Sequence, residues 1–201
     1  MTKFSFSMIT IAFSYSHIFA APAATTLVPI EISSTPLVKS PSLVLIQDNE
    51  FKTLDTDKDG FITQGIGPCF AFLAYTKDNP AKALAMYHYA PVGSQAKQKE
   101  AYEQITQALH SILYLIEKML GIEFEEEKES PDKHPLYQVV SIAIFGGQPS
   151  SQNSIDAINQ ITYEQYFPIS QLCLDPSQGR EYVFDLIFSE GKLTVHPFHT
   201  E

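Results

Sequence analysis

Short runs of apolar residues, rather than a helical repeat, dominate the chain between residues 43 and 89. The runs are bounded by Gly, Pro, Asn or Asp, and this combination is typical of buried β-strands. The pattern predicts strands at residues 43–46, 51–54, 61–63, 70–75 and 82–89. Asp78-Asn79-Pro80 separates the last two with turn-forming residues, so we expect a hairpin with its turn at residues 76–81.

Helical periodicity begins only after these strands. Apolar residues recur every three or four positions on one face, and Gly121, which suits the left-handed position after a helix, follows them directly. We therefore predict a long helix that runs from Ser94, as its N-cap, to Leu120. The rest of the pattern predicts a strand at residues 139–145, a helix at 154–166, a strand at 168–174 and a final hairpin with strands at 181–188 and 192–196.

Residues 1–23 follow a different pattern. Lys3 is the only charged residue before Glu31, residues 4–19 are mostly apolar, and Ala20-Ala21-Pro22-Ala23 supplies the small residues of a cleavage site. The pattern predicts a secretory signal peptide, and hence a secreted or periplasmic protein with no stable membrane association after processing. Because polar residues interrupt the apolar run, a cytoplasmic protein with a buried or disordered N-terminus is the alternative.

Residues 24–42 carry Pro29, Pro36 and Pro41 among Ser and Thr, which predicts an extended leader. Residues 43–201 are long enough for a single domain with a sizeable core, and 44% of the chain is hydrophobic. The formal net charge is −10, and no cluster of Lys and Arg is present to neutralise phosphates. This composition argues against nucleic acid as a partner.

One stretch combines residue types that can carry out nucleophilic chemistry. Cys69 follows a turn that contains Gly65 and Gly67, and Thr63 places a hydroxyl shortly before the thiol. His88 lies on the returning strand of the predicted hairpin, so its imidazole can approach Cys69. An imidazole beside a thiol accepts its proton and stabilises the thiolate, the form that attacks a carbonyl carbon.

The motif Thr63-x-Gly-x-Gly-x-Cys69, followed by an apolar strand, a turn and a strand with His88, resembles the active-site region of the bacterial chemoreceptor glutamine deamidases, the CheD family. The resemblance covers residues 43–195. Its further parts are a helix at residues 104–121, the strand end Ile144-Phe145-Gly146-Gly147, a helix at 154–160, and a closing hairpin with Gly179-Arg180 and Val183-Phe184-Asp185. It implies an α+β fold with a mixed β-sandwich-like core flanked by helices, and the predicted order of strands and helices agrees.

The resemblance also implies roles for three residues. Cys69 would be the nucleophile, His88 its base, and Thr63 the hydroxyl that orients His88. The reaction would convert an accessible glutamine of a protein substrate to glutamate through a thioester, with release of ammonia and without a cofactor. The family acts on cytoplasmic receptors. A signal peptide suggests instead a secreted enzyme that modifies a foreign protein, in the manner of bacterial deamidating toxins that share the Cys-His arrangement.

Two alternatives to a deamidase remain open. Pro68 precedes the cysteine where the family usually has a small hydroxyl residue, and proline lacks a backbone N–H. A disulfide between Cys69 and Cys173 would also block the nucleophile, although we expect Cys173 to be a buried strand residue. One alternative is therefore a catalytically silent binding module on the same scaffold. The other is a transglutaminase, in which an amine rather than water resolves the thioester.

Two further groups of residues invite a metal interpretation. Asp55-x-Asp57-x-Asp59-Gly60 matches the opening of an EF-hand calcium loop, but Ile66 stands where that loop requires a glutamate. An acidic turn is the preferred interpretation, with a weak calcium site as the alternative. His196 and His199 have no third ligand near them in the sequence, so we assign no metal.

Overall fold

A computed structural model describes residues 27–33, 37, 40–54, 58–91, 97–122, 135–174 and 183–197. The predicted signal peptide lies outside the described residues, as do Asp55 and Asp57 of the acidic turn and His199 near the C-terminus. In the described ranges, no helix is both long enough and apolar enough to cross a membrane.

Strands form at or near all the places where the short apolar runs predict them, and one more strand, at residues 30–32, forms where none is predicted. They are β1 (Ile30–Ile32), β2 (Leu43–Ile46), β3 (Phe51–Thr53), β4 (Gly60–Ile66), β5 (Phe70–Thr76), β6 (Asn79–Tyr89), β7 (Val140–Gly146), β8 (Ile169–Leu174), β9 (Phe184–Ser189) and β10 (Lys192–Pro197). They pair into two five-stranded sheets, one with the order β1-β10-β9-β4-β2 and one with the order β3-β6-β5-β7-β8. Both sheets are mixed, because β1 and β10, β2 and β4, and β7 and β8 are parallel pairs.

The first strand belongs to the segment that the sequence predicts as an extended leader. β1 pairs with β10 over three residues, and the nearby Val28 is buried. The side-chain amide of Gln171 bonds both the N–H and the C=O of Val28, at 2.9 and 3.0 Å. This part of the leader is therefore packed into the domain.

β5 and β6 form the predicted hairpin, but its turn is tighter than expected. Only Lys77 and Asp78 lie in the turn, because β6 already begins at Asn79. The hydroxyl of Thr76 donates to the backbone oxygen of Asn79 at 2.9 Å and closes the turn. Of the turn-forming residues 78–80, Asn79 and Pro80 therefore belong to the strand rather than lengthening the loop.

The helices are α1 (Gln98–Leu120), α2 (Pro135–Val139) and α3 (Gln152–Glu164), with a 3-10 turn at Pro149–Ser151 before α3. The predicted N-cap of the long helix, Ser94, lies outside the described residues, and α1 begins only after Lys97, whose backbone is extended. Glu100 in the first turn favours this start, since a carboxylate stabilises the positive end of a helix. Gly121 ends the helix with φ of 65°, as predicted.

β5 separates two apolar layers, because successive side chains of a strand point to opposite faces. Phe70, Phe72 and Ala74 pack in the cluster that contains the buried faces of α1 and α3. Ala71, Leu73 and Tyr75 pack in the cluster that contains residues of the first sheet. The fold is therefore α+β, with helices against one face of the second sheet and the first sheet against its other face.

Candidate active site

Cys69 lies in the short connection between β4 and β5. A bulge in β4 precedes it, because the pairing with β9 shifts between Thr63 and Ile66. Gly65 in the bulge has φ of 74°, a conformation that a residue with a side chain adopts only with strain. The N–H of Gly65 donates to Oδ1 of the buried Asp185 at 2.9 Å. This bond fixes the turn that leads to the thiol.

The end of β7 holds the backbone of Cys69 from the other side. The N–H of Gly147 donates to the carbonyl oxygen of Cys69 at 2.9 Å. A Cβ atom on Gly146, where φ is 120°, would lie 2.4 Å from the same oxygen. Only glycine allows this approach, so the Gly146-Gly147 pair keeps Cys69 at the edge of the second sheet.

His88 faces the same apolar layer as Cys69. Ala71 of β5 pairs directly with His88 of β6, and Cys69 is two positions before Ala71. Both Cys69 and Ala71 pack in the cluster between the two sheets. A regular continuation of this register by one residue beyond Phe70 would make Cys69 and His88 diagonal neighbours, which lie roughly 7–8 Å apart in a sheet. Side chains can approach each other across this separation.

Thr63 reaches His88 from the opposite sheet. Its Oγ1 lies 2.7 Å from Nδ1 of His88, and both side chains are fully buried. The single hydroxyl proton of Thr63 is donated to the carbonyl oxygen of Ile46 at 3.1 Å. With the hydroxyl proton assigned to Ile46, the Thr63 oxygen accepts the N–H of His88 Nδ1, and in this tautomer the lone pair of the neutral ring is on Nε2.

Asp48 completes the group of polar residues, and the sequence pattern does not single it out. Its Oδ1 lies 3.5 Å from Nε2 of His88, although the Asp48 side chain is 73% exposed. The turn that carries Asp48 is attached to β6, since Asn49 donates its N–H to the carbonyl oxygen of His88 at 2.7 Å. Nε2 of His88 has no hydrogen-bond partner among the described residues. The nitrogen is thus free to act as a base.

The resting site holds a thiol and a neutral imidazole. Burial raises the pKa of Cys69 to about 11, with a smaller contribution from the Asp48 carboxylate, and a hydrogen bond from the Gly67 backbone opposes both. Burial also lowers the pKa of His88, which the Asp48 carboxylate partly counteracts. The thiol must therefore lose its proton during attack on a substrate, because it is not a thiolate beforehand.

A scan against protein-family models finds no match, and neither does a search of curated proteins. Function must therefore be inferred from the residues and their geometry.

The other residues singled out by the sequence lie apart from this group. Cys173 is half-buried in β8, and both it and Cys69 are free thiols, so the disulfide alternative is wrong for this structure. Ile66, at the position where a calcium loop needs glutamate, lies in β4. His196 lies opposite Asp185 in the first sheet. Among the described residues, no three His, Cys, Asp or Glu side chains are placed to bind a metal.

Replacing Thr63 with valine should lower activity about 10- to 100-fold and destabilise the protein by about 1–3 kcal/mol, since the buried N–H of His88 and the Ile46 carbonyl each lose a partner. Thr63→Ser, which keeps the hydroxyl, should retain most of the activity and most of the stability. Steady-state kinetics and urea unfolding of the two variants test this expectation. Equal activity in Thr63→Val and the parent would show that the hydroxyl does not orient His88.

The lowered pKa of His88 also predicts how stability depends on pH. The unfolded chain takes up a proton near the ordinary value of 6.5, whereas the folded protein takes it up only at lower pH. Stability from this group is therefore complete above pH 6.5 and is lost as the pH falls below it. Urea unfolding at several pH values should show this decline in the parent and a flatter profile in His88→Gln. Parallel profiles would contradict the expectation.

Proposed function

We propose that the protein is a cysteine-dependent protein glutamine deamidase, with Cys69 as nucleophile, His88 as general base and acid, and Thr63 as the residue that orients His88. The observation that carries the proposal is the bond between Thr63 Oγ1 and His88 Nδ1, 2.7 Å long and formed across the two sheets. It leaves the basic nitrogen of His88 on the face that Cys69 shares. A hydroxyl, an imidazole and a thiol in this order support acyl transfer.

The chemistry follows from these positions. Nε2 of His88 takes the thiol proton while the sulfur of Cys69 bonds to the carboxamide carbon, and the carbonyl electron pair moves onto oxygen. The oxyanion then collapses, the carbon–nitrogen bond breaks, and the imidazolium protonates the nitrogen that leaves as ammonia. His88 next removes a proton from water, which attacks the thioester. The carbon–sulfur bond breaks, Cys69 regains its proton and the side chain is released as glutamate.

Asp48 supports the step in which His88 becomes charged. Its carboxylate lies 3.5 Å from Nε2, the nitrogen that receives the thiol proton. A carboxylate at this distance favours the imidazolium, which must persist until ammonia leaves. The same carboxylate raises the pKa of the Cys69 thiol, which keeps the proton on sulfur in the resting protein.

The accessibility of the site favours the side chain of a protein as substrate. Cys69 is 9% exposed, whereas its neighbour Pro68 and the nearby Asp48 are exposed. A narrow, unbranched glutamine side chain that projects from a protein surface can bring its carboxamide to a thiol just below the surface. We propose a CheD-like deamidase fold on the same grounds, and a secreted enzyme with a foreign protein as target from the pattern of residues 1–23.

A silent binding module is the competing proposal, and one observation favours it. The raised pKa of Cys69 is a property of an ordinary buried thiol, since an activated cysteine usually has a lowered one. The two proposals differ in whether His88 controls the reactivity of the thiol. A deamidase requires that His88→Gln slows alkylation of Cys69 near neutral pH, whereas a silent module does not.

The direct test is a search for the product. The purified protein is incubated with lysates of candidate target cells, and peptide mass spectrometry identifies glutamines that become glutamates only in its presence. A labelled primary amine in a parallel incubation distinguishes hydrolysis from transglutamination, because only a transglutaminase attaches the amine. Absence of both products from every lysate, together with His88-independent alkylation, would overturn the proposed function.

A further inference from the structure

Gln148 lies beside the turn that carries the nucleophile. It follows Gly147, whose N–H bonds the carbonyl oxygen of Cys69. Nε2 and Oε1 of Gln148 lie 3.6 and 3.8 Å from the position that a Cβ atom on Gly67 would occupy. Because Gly67 has no side chain, the carboxamide of Gln148 lies against the backbone two residues before the thiol. Gln148 is only 8% exposed.

The carboxamide of Gln148 is hydrogen-bonded through its nitrogen but not through its oxygen. Nε2 donates to the hydroxyl of Ser150 at 3.1 Å. The backbone is fixed as well, since the N–H of Gln148 donates to Oγ of Ser151 at 2.9 Å and its carbonyl oxygen accepts the hydroxyl of Ser151 at 2.8 Å. Oε1, in contrast, is buried and has no hydrogen-bond partner in the described part of the chain. An acceptor in this state is costly unless a ligand supplies the donor.

We propose that Oε1 of Gln148 accepts an N–H of the substrate carboxamide and thereby makes the site selective for amides over esters. The inference rests on the proposed deamidase function and specifies the chemical class that its site selects. A primary carboxamide carries two N–H donors on the nitrogen that leaves as ammonia, whereas an ester carries none. Gln148 forms and breaks no covalent bond, since the N–H that it holds departs with the nitrogen.

The selectivity has a physical basis in the unpaired acceptor. A site built to bond a substrate N–H discriminates strongly against an analogue that lacks it, because the buried partner is then left unsatisfied. Apolar contacts alone would not distinguish an amide from an ester of the same shape. Gln148 is therefore a specificity-determining residue, distinct in role from the group of Cys69, His88 and Thr63.

Two alkylating reagents test the proposal with the full chain and without knowledge of the natural substrate. Iodoacetamide and methyl iodoacetate present the same reactive carbon, but only the first carries a carboxamide. Peptide mass spectrometry gives the rate at Cys69 with each reagent, and their ratio is divided by the ratio for glutathione. We expect the parent to prefer iodoacetamide by about tenfold on this scale. Gln148→Met, which lacks the acceptor at similar length, should lose the preference.

Two further variants complete the test. Gln148→Glu keeps an acceptor and should keep the preference, while Gln152→Met, the same substitution at an exposed position of α3, should leave it unchanged. A parent with no preference, or a preference that survives in Gln148→Met, would overturn the inference. Equal slowing of both reagents in Gln148→Met would also overturn it, because that result indicates a structural role. If His88→Gln changes neither rate while the preference remains, the deamidase proposal fails and the carboxamide site stands.

Discussion

Replacing Cys69 with serine should reduce glutamine-to-glutamate conversion by about 10⁴-fold or more, which places the variant at the background rate. His88 in its neutral form can remove the proton of a thiol during attack, but an alcohol holds its proton far more tightly and gives a poor nucleophile at this site. Serine is close in size to cysteine, so the buried position next to β5 should still pack. Peptide mass spectrometry of the target, with parent and variant at equal concentration, measures the loss.

Cys173→Ser is the matched control for this substitution. Cys173 is a free thiol that is half-buried in β8, opposite Phe145, and it contacts the same apolar cluster. The Cys173→Ser variant should retain deamidase activity close to that of the parent. Conversion that persists in Cys69→Ser would show that another group is the nucleophile. Equal losses in both variants would indicate damage to the apolar cluster rather than to the chemistry.

The fold could be predicted where local pattern decides it. The apolar runs at β5 and β7 are strands because each is buried on both faces and is bounded by turn residues. The end of α1 was also predictable, because Gly121 supplies a left-handed cap. The start of α1 and the strand in the predicted leader could not be predicted. The strand β1 depends on parallel pairing with β10, at the other end of the chain, so no local pattern reveals it.

The site residues also divide into those that local sequence pattern reveals and those that only long-range strand pairing brings to the site. The sequence predicts Cys69 and His88 as candidates because the hairpin of β5 and β6 is local and its register places His88 near the thiol. Thr63 is a candidate for orienting His88 only through the resemblance to the CheD family. Asp48 was missed, because it reaches His88 only through pairing of β3 with β6 across a long stretch of sequence. Gln148 was missed for a similar reason, since only the pairing of β7 with β5 brings it to the turn before Cys69. The local sequence signals are weak. Asp48 stands in an Asp-Asn pair after a strand, and Gln148 is a polar residue after two glycines.

Replacing His88 with glutamine should lower deamidation near neutral pH by about 10²- to 10⁴-fold, the range that a general base contributes. Glutamine can still donate an N–H to Thr63, so the change removes the basic nitrogen with limited loss of packing. The loss should diminish as the pH rises, because Cys69, with a pKa of about 11, then forms more thiolate without help. The pH dependence of kcat/KM in parent and variant tests this expectation.

The shape of the two pH profiles distinguishes a base from a merely structural histidine. The parent should lose activity as the pH falls and His88 becomes protonated, whereas His88→Gln should lack this acid limb and show a rate that rises steadily with hydroxide concentration. His110→Gln, the same substitution on an exposed position of α1, should leave the parent profile unchanged. A variant whose rate is reduced by the same factor at every pH would contradict general-base catalysis. In that case the hydrogen bond between Thr63 and His88 would serve to join the two sheets and would not prepare the ring for proton transfer.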